Sequence, residues 1–311
     1  MILDRSAANA TERKIQAGTK PFLIAEFGLN HNRDIDLARR MADAAKASGV
    51  DAVKLQSYTT RFFINRQFEN VHGLYDIFAG LELDAAFHEQ LRDHVAALGI
   101  VFFSTPLTED QVPMLDQLGV PAFKIASGDV NNWPLIDAAA ACKKPLMVST
   151  GAATEAEIIA AIQHLNRVSP QNYALLHCVS LYPTQNAQAN ISRMQRIAAL
   201  APTGTPIGFS DHTAGTEAAF AAVACGAQII EKHFTLDKTL PGPDQAMSSD
   251  PAEIRRLREQ IDLAFAIRGN AVNADCHAVE TASDYYGKRS LYEFEGKIRA
   301  MRPRHADFPK P

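Results

Sequence analysis

The chain has few cysteines, and no two of them form a CxxC pair. Cys142, Cys178, Cys225 and Cys276 are scattered, three of them in apolar segments. That argues against a disulfide framework or a zinc knuckle and predicts buried, reduced thiols in a cytosolic protein. Long hydrophobic runs are missing too. No apolar stretch approaches the roughly 18 residues of a membrane span. The opening MILDRSAANATERK lacks the apolar core of a signal peptide. The expectation is a cytoplasmic protein that engages no membrane. Charge of one sign is scarce: a net −4 offers no surface to nucleic acid or to anionic lipid. A glycine-rich phosphate loop is absent as well. The first strand-to-helix turn reads EFGLNHN, with one glycine and no GxGxxG, which weighs against an open doubly wound sheet.

What is present is alternation. Eight short apolar runs punctuate the chain: FLIAEFG (22–28), AVKLQSY (52–58), IVFFSTP (100–106), AFKIASG (122–128), PLMVSTG (145–151), YALLHCV (173–179), PIGFSDH (206–212) and QIIEKHF (228–234). Helix-like segments such as DIDLARRMADAAKASG and TEAEIIAAIQHLNRV lie between them, several closing on a glycine: Gly49, Gly99, Gly119 and Gly226. Thr154 with Glu157, and Thr108 with Gln111, match capping boxes. Continuously apolar strands joined by crossover helices make a parallel sheet, and eight of them close it. The predicted fold is α/β, a (β/α)8 TIM barrel. Residues 1–20 read as an irregular lead-in, 21–270 as the barrel and 271–311 as a tail of mixed polarity without room for a second folded domain. The segment after the second run, TTRFFINRQFENVHGLYDIFAGLEL, is long and aromatic, as a wall or lid over the mouth would be.

A barrel enzyme builds its site at the C-terminal ends of its strands. There the sequence turns polar: Glu26 with Asn30 and His31 beyond it, Lys54 and Gln56, Ser104 and Thr105, Lys124 and Ser127, Ser149 and Thr150, His177 with Ser180 and Tyr182, Ser210 and His212, then Glu231, Lys232 and His233. Period-two alternation puts Lys54 with Gln56, Ser210 with His212, and Glu231 with His233 on shared faces, and turns Lys124 inward. Two inward lysines suit an anionic ligand such as a phosphate, completed by hydroxyls of Ser127, Ser149 and Thr150. The alternative is that each lysine pairs with a carboxylate such as Glu26 or Glu231. His212 and His233 end neighbouring strands about 4.8 Å apart, close enough to share a metal ion with open positions. The rigid turn PGPD (241–244) presents Asp244 toward the mouth.

Taken in order, IAEFGLNHN, AVKLQ, FFSTP, PAFKIASGD, VSTGAAT, ALLHCVSLYP, IGFSDHT, IIEKHFTLDK and PGPD resemble the sialic acid synthase family, the phosphoenolpyruvate-dependent nonulosonic acid synthases. The resemblance implies a barrel that condenses phosphoenolpyruvate with an N-acetylated hexose-type aldehyde to a 2-keto-3-deoxy acid and phosphate, for surface polysaccharide synthesis. It implies that His212 and His233 hold a divalent metal, Mn²⁺ or Mg²⁺. Lys54, Lys124, Ser127, Ser149 and Ser180 would hold phosphoenolpyruvate; Asn30, Gln56, Tyr182 and Asp244 would face the sugar; Glu26, Asp129 and Lys124 would carry the catalysis. Partners would be these small molecules and a second copy in a homodimer. The chain departs from the pattern at Arg33, where many relatives have glycine, and at Ser180, where some have asparagine. The family usually continues from the linker, here KRSLY (288–292), into an antifreeze-like domain that supplies an arginine to the partner's sugar. Arg33, Arg61 or a tail arginine are the candidates to replace it here. Two other readings are a pyruvate-dependent barrel relative and a non-catalytic one that binds metal and an anion. The acceptor stays open among N-acetylmannosamine, its 6-phosphate and dideoxy-diacetamido sugars.

Overall fold

The computed structural model describes residues 2–3, 13–16, 18–66, 73–269, 290–294 and 296–301. Its centre is a closed barrel of eight parallel strands. Two short strands precede it, β1 (Ile2–Leu3) and β2 (Arg13–Lys14), paired antiparallel. The lead-in read as irregular therefore contains a small sheet. The barrel strands are β3 (Phe22–Gly28), β4 (Ala52–Ser57), β5 (Val101–Pro106), β6 (Phe123–Ile125), β7 (Leu146–Ser149), β8 (Tyr173–Cys178), β9 (Ile207–Asp211) and β10 (Ile229–His233). Each pairs in register with its chain neighbour, and β10 closes on β3. Almost every barrel-strand residue is buried, on both faces, which is why these strands are apolar runs rather than alternating ones.

The helices are α1 (Ile35–Ala47), α2 (Thr60–Phe63), α3 (Leu74–Leu81), α4 (Ala85–Ala97), α5 (Gln111–Gln117), α6 (Trp133–Ala141), α7 (Glu155–Val168), α8 (Arg193–Leu200), α9 (Glu217–Ala224) and α10 (Pro251–Arg268). Asp34 caps α1 by accepting from the backbone N–H groups of Asp36 and Leu37. Thr154 and Glu157 close the expected capping box on α7. The second expected box does not form. Asp110 precedes α5, and the Thr108 hydroxyl accepts instead from the Thr59 N–H at 3.1 Å, tying the β5 loop to the β4 loop. Gly49, Gly99, Gly119 and Gly226 all take positive φ at their helix ends. At Gly49 space also decides, since a Cβ would lie 2.9 Å from Arg258 Cγ.

Residues Met1–Arg268 form one compact unit and Gly269–Pro311 another, and the second contains the antiparallel pair β11 (Ser290–Phe294) and β12 (Lys297–Met301). No described helix is long and apolar enough to cross a membrane. The cysteine expectation holds at Cys178, which is buried, and fails at Cys225, which is exposed where α9 ends; Cys142 is half-buried and Cys276 lies outside the described residues.

Lys232 sits between Glu231 and His233 but faces the other way, into the layer between barrel and helices. Its ammonium donates to Asp211 Oδ2 and to the Thr213 carbonyl, each at 2.8 Å. Asp211 also accepts from the Thr213 N–H and hydroxyl, and both ions are at most 2% exposed. A buried pair contributes little net stability, but losing one partner strands the other charge. Lys232→Ala is expected to lower the unfolding free energy by about 3–5 kcal/mol, read from the urea midpoint. A loss below about 1 kcal/mol would mean that the pair is effectively solvated.

Candidate active site

At the C-terminal mouth of the barrel, side chains from every strand enclose about 60 Å³ of free space. Glu26 comes from β3, Lys54 and Gln56 from β4, Thr105 from β5, Lys124 from β6, and Ser149 from β7. Cys178 comes from β8, Ser210 from β9, and Glu231 and His233 from β10, while Ser127, Tyr182 and His212 stand just past strand ends. Period-two alternation selects these positions: Lys54 and Gln56 share a face, as do Glu231 and His233.

Four buried charges form the floor. Lys54 contacts a Glu26 carboxylate oxygen, donates to the Thr105 hydroxyl at 2.6 Å and lies 3.8 Å from Glu231. Lys124 lies 3.7 Å from Glu231 and donates to the Ile125 carbonyl at 3.2 Å. Ser210 donates to Glu231 at 2.8 Å, and the Gly28 N–H donates to Glu26 at 2.8 Å. The pairing of each lysine with a carboxylate, the alternative open from sequence, is thus realised. The floor is two cations and two anions, not a bare cationic patch.

The two carboxylates differ. Burial raises Glu26 to about 7, and the attraction of Lys54 does not overcome it. Burial also acts to raise Glu231, but Lys124, Lys54 and the Ser210 hydroxyl outweigh it and bring Glu231 to about 2. Burial, reinforced by the Lys54 charge, lowers Lys124, while the two glutamates hold Lys54 above its ordinary value against its burial. At neutral pH Glu231 is the fixed anion and Glu26 the carboxylate that can gain or lose a proton. The folded chain holds that proton more tightly than the unfolded chain, whose value is near 4.5. This contribution to stability is therefore complete below the unfolded value and is lost as pH rises through about 7. In metal-free protein, Glu26→Gln is expected to gain stability relative to the parent between about pH 5 and pH 8. Denaturant midpoints that keep a constant gap across that range would contradict it.

His212 and His233 stand beside each other, ring centroids 5.5 Å apart. The Tyr182 ring covers His212 at 4.1 Å and meets His233 edge-on at 6.2 Å. His212 Nδ1 donates to the Val179 carbonyl at 2.9 Å, which fixes the tautomer and leaves Nε2 with its lone pair. His233 Nδ1 is buried with no hydrogen-bond partner, 3.9 Å from Asp244 Oδ2. Burial lowers the His233 pKa, which favours the neutral, ligating form. No group of three or more His, Cys, Asp or Glu side chains is arranged to hold a metal among the described residues. The donor set for an ion is two imidazoles with the remaining positions open, and the orphaned His233 nitrogen fits that role.

The sequence-predicted residues do not all meet here. Asp244 and Asp129 are not among the residues that line the cavity: Asp244 Oδ2 lies 3.9 Å from His233 Nδ1, and Asp129, near enough for the Lys124 charge to act on it, accepts from the Asn132 amide. Asn30 is drawn away from the cavity. Its amide nitrogen donates to the Phe234 carbonyl and the Ser248 hydroxyl, because the turn after β10 needs those groups satisfied. His31 and His177, expected near the mouth, also face away: His31 accepts from the Arg33 N–H, and His177 pairs with the Ala189 carbonyl and stacks on Phe209. Ser180 approaches the cavity from beside Gly151. A Cβ at Gly151 would collide with the Ser180 hydroxyl and lie 2.7 Å from Ser127 Oγ. Gly28 is equally confined, since a Cβ there would lie 2.7 Å from Asp244 Oδ2 and 3.2 Å from the His233 ring. These two glycines were missed from sequence, although Gly28 ends β3 two residues after Glu26 and Gly151 lies two residues after Ser149 at the end of β7.

The family model described as NeuB family matches residues 41–273. The chain belongs to the NeuB family. The N,N'-diacetyllegionaminic acid synthase of Legionella pneumophila is 38% identical, over 84% of this chain and 78% of its own length. The N-acetylneuraminate-9-phosphate synthase of Mus musculus is 34% identical, over 80% and 71%. Among solved structures, the N-acetylneuraminic acid synthetase of Leptospira borgpetersenii superposes with a TM-score of 0.79 at 35% identity, covering 85% of this chain and 90% of that one. Like these NeuB relatives, the chain is a transferase-type synthase built on a (β/α)8 barrel.

Proposed function

We propose that the protein condenses phosphoenolpyruvate with an N-acetylhexosamine-type aldose, giving a nonulosonic 2-keto-3-deoxy acid and phosphate for surface polysaccharide synthesis. The observation that carries this is the joining, in one cavity, of a two-lysine, two-glutamate floor with two imidazoles free to ligate. An enol phosphate needs cations for its carboxylate and phosphate, and Lys54 and Lys124 supply them, with Ser127, Ser149 and Ser180 as hydroxyl donors. Ser149 Oγ has no partner in the protein and is available for that contact. As C3 of the enol attacks the aldehyde carbon, positive charge develops at C2, where Glu231 and Glu26 stabilise it. Glu26 accepts the proton of the water that adds there, and Lys124 steadies the phosphate as its C–O bond breaks. His212 and His233 would hold a divalent ion, which when bound would supply Lewis-acid polarisation of the aldehyde oxygen. Imidazole donors also suit Zn²⁺ and Fe²⁺, so the choice of Mn²⁺ or Mg²⁺ rests on the family resemblance.

The test is a phosphate-release screen across hexosamine-type aldoses. Release is expected only when metal ion, phosphoenolpyruvate and aldose are all present. Turnover of pyruvate without phosphate, or no release across the panel, would overturn the reading.

A further inference from the structure

The charged cavity is not isolated. Leu107 lines it and also lines a neighbouring cavity of about 380 Å³, which Glu109 and Asp110 border. Phe62 borders that second cavity and also a third, of about 660 Å³, bounded by Arg61, Arg66 and Tyr75. Neighbouring cavities thus share a wall, Leu107 between the first two and Phe62 between the last two, and α2, which carries Arg61 and Phe62, begins three residues after β4 ends.

The outer cavity holds two guanidinium groups. Arg61 lies over the Phe62 ring, 4.6 Å from its centroid, and Arg66 lies over the Tyr75 ring at 5.0 Å. Neither pairs with a carboxylate among the described residues, whereas Arg196, Arg256 and Arg258 on the barrel's outer helices all do. Stacking on an aromatic face restrains the planar fork and leaves its N–H edge free, so less entropy is lost when an anion binds. Phe62 itself is 61% exposed at the junction of the two outer cavities, a large apolar face offered to ligand rather than to core. Carboxylates in the middle cavity suit hydroxyl donors and repel an anion, so an anionic group is placed at the far end.

We propose that Arg61 and Arg66 bind an anionic group, a phosphate or a carboxylate, carried by the acceptor aldose at the end remote from its aldehyde. The acceptor runs from the imidazole pair past Leu107 and over Phe62. This rests on the condensation reading and names the acceptor class that the same site takes.

The experiment uses the metal-loaded enzyme with phosphoenolpyruvate and three acceptors: an N-acetylhexosamine, its 6-phosphate and the corresponding 6-carboxylate. Parent, Arg61→Gln, Arg66→Gln and the double variant are compared by kcat/KM and by direct sugar binding. One of the two anionic acceptors is expected to exceed the neutral one by about tenfold or more in kcat/KM. The double variant should collapse that ratio through KM for the acceptor, with KM for phosphoenolpyruvate unmoved. Arg61→Lys should recover part of it, because the charge returns without the fork. Which anionic acceptor shows the effect tells phosphate from carboxylate. Equal use of all three acceptors by the parent, or an unchanged ratio in the double variant, overturns the proposal. If no acceptor is turned over but an anionic sugar still binds in an arginine-dependent way, the condensation reading falls and the anion site stands. Arginine-independent binding removes the site whatever the turnover.

Discussion

Alanine at His212 or at His233 is expected to lower phosphate release by about a thousandfold or more while leaving the melting transition in place. Among the described residues these are the only imidazoles that line the cavity, and the surroundings of each favour ligation. The Val179 carbonyl holds the His212 proton on Nδ1, and burial keeps His233 uncharged. Removing either ring leaves one imidazole and open positions, too few to hold an ion at ordinary concentrations. The neighbouring strands do not depend on the rings for their hydrogen bonds, so the barrel persists. Titration of metal-free protein with Mn²⁺ supplies the second readout, with affinity falling about a hundredfold in each single variant. Undiminished affinity in both, or release within about tenfold of the parent, would show that the rings share no ion.

Lys124→Ala carries the second large effect. Lys124 is buried, and within the floor it is the cation with fewer contacts, since Lys54 already touches Glu26 and Thr105. It is therefore the lysine best placed to turn to a ligand phosphate, in a setting where a charge-assisted bond is strong. kcat/KM for phosphoenolpyruvate should drop about a hundredfold or more. Glu231 also loses the charge that does most to hold it low, so it should retain its proton to higher pH than in the parent. Arginine at this position should restore charge without restoring rate, because its fork does not fit a point-charge site. An unaltered dependence on phosphoenolpyruvate in Lys124→Ala would remove Lys124 from the substrate.

Much of this was legible in the sequence, for physical reasons that can be named. Parallel strands buried on both faces must be apolar throughout, so eight runs separated by amphipathic segments announced the barrel. The strict period of two then turned Lys54, Lys124, Glu231 and His233 inward without any motif. What was hidden depends on partners far away in the chain. Asn30 shares its polar surroundings with His31 and the strand end, yet its amide is used by Phe234 and Ser248, more than two hundred residues on. The pairing of Lys54 with Glu26 needed the register Glu26↔Lys54, which the sequence leaves open. Gly28 and Gly151 read as ordinary turn glycines until the atoms around their missing side chains are in view. Asp129 entered only through the family resemblance; the 3-10 turn Ser127–Asp129 sets its carboxylate against the Asn132 amide, a contact that the sequence leaves open.

The most direct measurement follows the new bond. Phosphoenolpyruvate labelled with ¹³C at C3 is incubated with Mn²⁺, enzyme and the acceptor that the screen selects, and the products are read by NMR. The account predicts that the label moves into the methylene of a 2-keto-3-deoxy acid, with equimolar phosphate, and that His212→Ala yields neither. Label recovered in pyruvate, or phosphate formed without a new carbon–carbon bond, would contradict it.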